Sequence, residues 1–183
     1  MWLLILTVVA ALVVVLVTFG SLAQLAELSV SGGWMLAGGL GIQVALEFVE
    51  IPKADIDTVG FGLLMASFAL VLAFCLTNLR TWGFGVIAIG IGMNALVIGL
   101  NLGMPTIPIG NDADGNRVRK PIERSVKHRA EQPDDLLKFL DDRILLPEPF
   151  DAVVSFGDLV VSVGICELAY FASRRRHRRG SSR

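Results

Sequence analysis

Apolar residues fall into five long runs, separated by short polar breaks and by one long polar interval. A helix crossing a bilayer needs about 20 predominantly apolar residues, because the hydrocarbon core is about 30 Å thick. The runs at 2–19, 34–49, 59–77, 82–103 and 150–172 meet that length or approach it. The second is the weakest, being short and glycine-rich, with Gln43 and Glu47 inside it; a re-entrant segment is the alternative reading. The pattern predicts an all-α integral membrane protein, with a single five-helix transmembrane bundle over 1–172. One long polar outer loop at 104–149 and a basic tail at 173–183 complete it.

Composition agrees with that reading. Hydrophobic residues make up 54% of the chain and charged residues 18%, and the charges cluster in the long loop and the tail. A globular domain would spread its charges over a water-facing surface. The run Arg174, Arg175, Arg176, His177, Arg178, Arg179 directly follows the last apolar segment. Short arginine-rich flanks stay cytoplasmic, so the tail is expected inside and, with five spans, the N-terminus outside. Anionic lipid is the expected partner of this tail, and no nucleic acid is expected. Arg80 then falls inside, and Lys53 falls outside beside Glu50, Asp55 and Asp57. Trp34 and Trp82 open their segments at the inner interface and Trp2 opens its own at the outer one. One count disagrees. The loop placed outside holds eight Lys/Arg, but nine Asp/Glu offset them, so the tail decides the orientation. A cleaved signal peptide ending near Ser21-Leu22-Ala23 is the competing reading of the first run, opposed by the absence of a basic segment before it.

Within the loop, Asp112, Asp114, Asn116 and Glu123 have the spacing of some calcium ligands, but the glycine that such a loop needs at its sixth position is missing. Arg117, Arg119, Lys120, Arg124, Lys127 and Arg129 form a basic strip, read either as a solvated edge or as a contact for phosphate headgroups or an acidic partner. In Pro133 to Ile144, Leu136, Leu137, Leu140 and Ile144 share a helical face, which predicts a short amphipathic interfacial helix.

Polar groups at membrane depth are costly, so each requires a reason. Ser155, Asp158 and Ser162 recur at i, i+3 and i+7, on one face of the last segment. Asn94 and Asn101 share a face of the fourth. Counting from the outer ends at about 1.5 Å per residue puts Asp158 about 12 Å deep, Asn94 about 15 Å and Gln43 about 10 Å. Gln43, Asn94 and Asp158 are therefore expected in one layer, which either locks the helices together or lines a small cavity for a proton, an ion or a headgroup. Glu167 lies on the inner side at the level of Arg80 and Asn78, and an ion pair with Arg80 is expected. Gly99 with Gly103, and more weakly Gly62 with Ala66, are expected to let helices approach closely. Cys75 and Cys166 form no redox or metal motif, no cofactor or metal is expected, and no hydrolase or nucleotide-binding signature occurs.

Asn78-Leu79-Arg80-Thr81-Trp82-Gly83, Asn94, Asn101-Leu102-Gly103-Met104-Pro105 and Ser155-Phe156-Gly157-Asp158 resemble the pattern of a family of small bacterial membrane proteins of unknown function. Leu102 stands where that family often has glycine. The resemblance covers about Asn78 to Tyr170 and implies a multi-pass protein of a bacterial cytoplasmic membrane, with no activity attached. The expected function is association without catalysis, as an accessory or assembly subunit of a larger membrane complex, a homo-oligomer or a lipid-contacting scaffold. The alternative is a small transporter or ion-coupled protein that uses the layer around Asp158.

Overall fold

A computed structural model describes residues 2–49, 51–112, 116–147, 150 and 152–174; the side chains of Trp2, Asn111 and Arg117 are outside it. Glu50, Asp114 and the tail from Arg175 onward also lie outside the described residues.

The chain is mostly helical. It forms α1 (Trp2–Val17), the short α2 (Leu22–Ala26), α3 (Gly33–Phe48), α4 (Phe61–Thr77), α5 (Phe84–Asn101) and α6 (Phe156–Ala172). Irregular turns at Lys53–Asp55 and Ile56–Gly60 run directly into α4. Two helical stretches are long and apolar enough to cross a membrane, Lys53–Thr77 and Phe84–Asn101. Of the other helices, α1, α3 and α6 have 16 or 17 residues and α2 has five.

The five long helices pack as an arc in the order α3, α4, α5, α6, α1. Side-chain pairs fix their directions. Gln43 meets Ser67 and Ser31 meets Asn78, so α3 and α4 are antiparallel. Asn94 meets Asp158, and Gly83 lies against Gly164, so α5 and α6 are antiparallel. Thr7 meets Ser162 and Ser21 meets Ser173, so α1 runs parallel to α6. Buried Leu64, Phe68, Val97, Ile98 and Met104 make one core cluster at the loop end, and Phe74, Cys75, Phe84 and Ile87 another at the far end.

Beside the helices, the long loop and the residues just before α6 contribute six short strands in three pairs among the described residues. β1 (Met104–Thr106) pairs in parallel with β4 (His128–Ala130). β2 (Ile109–Asn111) pairs with β3 (Arg117–Arg119), and β5 (Ile144–Leu145) with β6 (Val153–Val154), both antiparallel. The expectation of an all-α chain is corrected to that extent.

The amphipathic helix over 133–144 does not form. Only Lys138–Leu140 is helical, as a single 3-10 turn, and Leu137 before it has a left-handed backbone with φ 57°. The physical reason is a competing set of long-range bonds. Leu136 N donates to Asn101 Oδ1 at 2.9 Å, and Asn101 Nδ2 donates to Leu136 O at 2.9 Å. With both backbone groups of Leu136 held by a side chain of α5, the helical ladder cannot pass through that residue. Leu140 is buried against the core cluster at the loop end all the same, and Phe139 is exposed.

Candidate functional site

Asp158 begins from a local rule. Ser155-Phe156-Gly157-Asp158 is a serine followed three residues later by an acid, the arrangement of a capping box. The structure forms it: Asp158 N donates to Ser155 Oγ at 3.0 Å, and Ser155 N donates to Asp158 Oδ2 at 3.2 Å. Asp158 therefore sits in the first turn of α6, not eight residues into a helix. The expected depth of about 12 Å assumed a helix from residue 150, whereas residues 153–154 form β6.

Across the helix pair, Asn94 Nδ2 donates to Asp158 Oδ1 at 2.7 Å and Ser155 Oγ donates to Asn94 Oδ1 at 3.0 Å. Both carboxylate oxygens of Asp158 thus accept a hydrogen bond. Ser162 belongs to the same face, where its Oγ donates to Asp158 O at 2.9 Å and lies 2.7 Å from Thr7 Oγ1 on α1. Thr7, which the sequence reading did not single out, makes the link to the first helix.

Gln43, expected in one layer with Asn94 and Asp158, makes its side-chain bond to neither of them. Gln43 Nε2 donates to Ser67 Oγ at 3.2 Å and so ties α3 to α4. Asn101 is at the end of α5 and fastens the loop through Leu136, as described above. The Arg80–Glu167 pair is absent: Arg80 is exposed, Glu167 is half-buried, and neither is in an ion pair among the described residues. Asn78 at that level bonds the backbone of Ser31 instead, accepting from its N and donating to its O, both at 2.9 Å.

The basic strip divides. Arg119, Lys120 and Lys127 are exposed. Arg124 forms an ion pair with Asp57 ahead of α4. Arg129 is buried, which corrects its reading as a headgroup contact. Its Nε donates to Asn101 O at 2.8 Å, and its guanidinium pairs with Asp135. A charge inside a loop needs such a partner, and Arg129 with Asp135 and Asn101 forms one staple between β4, the 133–137 segment and α5.

Two neighbouring acids are also buried. Asp142 accepts from Thr106 Oγ1 at 3.3 Å and lies 3.1 Å from His128 Nδ1. Asp141 is fully buried, with Arg143 Nη2 3.5 Å from its Oδ2 and no hydrogen-bond partner for its Oδ1 among the described residues. Burial raises its pKa from 3.8 to about 6; Arg143 opposes the rise, and Asp135 and Glu131 add to it. No sequence signal marks these acids as buried, because Asp134-Asp135 and Asp141-Asp142 read as solvated pairs.

The arc leaves a groove of about 430 Å³ at its loop end. All five long helices line it, Leu4 and Val8 from α1 facing Leu40 from α3 across it, and Met104, Lys127, His128 and Asp142 roof it. Thr7, Gln43, Asn94, Asp158 and Ser162 are in its wall.

No curated protein and no solved structure matches the chain. A family model matches residues 27–170, from the connection before α3 to near the end of α6. The chain belongs to the family of unknown function DUF5317.

Proposed function

We propose that this chain is a five-span protein of a bacterial cytoplasmic membrane, N-terminus outside, that works by association and not by catalysis, as a lipid-contacting scaffold or an accessory subunit. The observation that carries this reading is the use made of Asp158. Its two carboxylate oxygens are both occupied, by the α6 cap and by Asn94. A carboxylate so engaged holds helices in register. The five-span reading is supported by apolar side chains turned outward on the shorter helices as well as the long ones, among them Leu16 and Val17 on α1, Phe48 on α3 and Val163 on α6. Water tolerates an apolar surface of that extent poorly, and lipid does not.

A second reading, an ion-coupled transporter, draws on one specific observation: Asp158, Asn94, Ser162 and Gln43 all line the same groove. Paired substitutions separate the two. Asp158→Asn keeps one acceptor oxygen, and rotation of the Asn94 amide restores the inter-helix bond, so the scaffold reading expects a loss of about 1 kcal/mol or less. Asp158→Leu removes both acceptors and strands two donors, with an expected loss of about 1–3 kcal/mol. Thermal stability in detergent and the yield of any co-purifying membrane partner provide the measurement. A folded Asp158→Asn protein that keeps its partners but loses proton-coupled uptake in vesicles would replace the scaffold by the transporter.

A further inference from the structure

The polar groups in the wall of the loop-end groove make no demand on a ligand. Asp158 and Asn94 bond each other, Ser162 donates to a backbone carbonyl, Thr7 donates to Leu3 O at 2.8 Å, and Gln43 is bonded to Ser67. The remaining wall is apolar on every side, from Leu4 and Val8 on α1 through Ile165, Ile91 and Val71 to Leu40 on α3. The mouth is different. Lys127 is exposed, and its ammonium has no ion pair or hydrogen bond among the described residues. His128 beside it turns Nδ1 to Asp142, 3.1 Å away, and both residues line the groove. The site is therefore an apolar slot with an unneutralised cation at one end.

We propose that this groove holds one amphiphilic molecule by a single apolar chain, with an anionic headgroup at Lys127. Deepening the lipid-contacting reading above, it rests on the membrane location. The volume sets the size of the ligand. A water molecule has a share of about 30 Å³ in the liquid and a methylene group is of similar size, so about 430 Å³ admits on the order of a dozen chain carbons. That suits one acyl chain. A chain that leaves the bilayer or a micelle for the slot exchanges one apolar setting for another, so burial of its methylenes adds little, and retention rests on packing against the wall and on the contact of the head with Lys127. Asp142 in the same roof is engaged by His128 and Thr106, so Lys127 is left to set the sign of the head: a phosphate or carboxylate gains an ammonium with no ion pair among the described residues, and a zwitterionic choline head brings a second cation against it. Two sources supply this chemistry, an anionic phospholipid with one chain in the slot and its other in the bilayer, or a free fatty acid.

The test uses the full chain purified in an uncharged maltoside detergent and analysed by native mass spectrometry after addition of phosphatidylglycerol, phosphatidylcholine or palmitate. The expected result is one adduct per chain that survives collisional activation, formed by phosphatidylglycerol or palmitate at least tenfold more readily than by phosphatidylcholine. Retention of phosphatidylglycerol identifies a membrane lipid, and retention of palmitate alone identifies a free fatty acid. Val8→Trp and Leu40→Trp fill the slot from positions about half exposed on α1 and α3, so they leave the helix packing in place. Both are expected to abolish the tight adduct. Lys127→Glu is expected to remove the anionic preference while the slot still takes a chain. Adducts that accumulate without saturation, show no charge preference and ignore Val8→Trp would overturn the proposal. That failure leaves the scaffold reading standing, because the Asp158 variants test it by stability and partner yield, not by lipid retention.

Discussion

Asp141 is the residue whose environment is most at odds with its chemistry. A buried carboxylate favours its protonated form, and this one has an oxygen without a hydrogen-bond partner among the described residues. Its pKa of about 6 in the folded protein stands above the ordinary 3.8. The native state therefore binds more protons than the unfolded chain between those two values. Stability from this group is fully present below pH 3.8 and is lost as pH rises through about 6. Asp141→Asn should remove that dependence. Melting in detergent from pH 4 to pH 7 is expected to fall for the wild type by an amount of order 1 kcal/mol relative to the Asn variant, since one pKa unit corresponds to about 1.4 kcal/mol. Parallel curves for the two proteins would show that Asp141 keeps its charge through Arg143. His128 and Asp142, close by in the roof, are unchanged in both proteins and cancel in the comparison.

At the scale of the helices, two glycines on α5 meet two on α6 in antiparallel register, if Gly83, just before α5, is counted with it. A Cβ on Gly83 would lie 2.6 Å from Gly164 O, and one on Gly90 would lie 2.6 Å from Gly157 O and 2.7 Å from Val161 N. These neighbours are backbone and cannot swing aside. Gly90→Ala should therefore push α5 from α6, lengthen the Asn94–Asp158 bond and cost about 1–3 kcal/mol. Gly92→Ala, where nothing lies within 4 Å, should be neutral or slightly stabilising, because alanine is the better helix former. Equal melting temperatures for the two variants would rule out this tight interface. The sequence spacing points instead to Gly99 with Gly103. Gly99 makes only ordinary contact with Met65, and Gly103 ends the helix with φ +135°. Helical periodicity shows which residues share a face of one helix, and not which helix that face meets; the seven-residue spacing on both partners was the available signal. The Ser155–Asp158 cap lies within one turn and so was within reach of the sequence, but the apolar run from residue 150 placed Asp158 deep inside a helix instead. The 133–144 segment was misread because its apolar spacing is helical, while its fate depends on Asn101 and Arg129, which contact it from β4 and the end of α5.

Taken whole, the molecule has two unlike ends. The loop, the groove and the starts of α1 and α6 share one. The far end gathers Trp82 stacked on Phe171 at 5.1 Å and the Arg174 guanidinium 4.6 Å over the Tyr170 ring. Arg174 also donates to Thr18 O at the end of α1, so the last arginine of the described chain closes α1 and α6 together. Aromatic rings and arginine at one level are what a cytoplasmic interface collects. On the proposed five-span topology, the connections should appear on alternate sides of the membrane. Single cysteines at Ser29, Ala54, Arg80, Asn116 and Ser181, introduced after replacing Cys75 and Cys166, report each one in turn. The first four positions are exposed, so access is decided by the membrane and not by packing. A membrane-impermeant maleimide added to intact cells should label positions 54 and 116, and should label 29, 80 and 181 only after the membrane is opened. Labelling of 29 and 54 from the same side would make α3 re-entrant. Labelling of 116 and 181 from the same side would show that α6, with 17 residues and Asp158 in its first turn, does not cross.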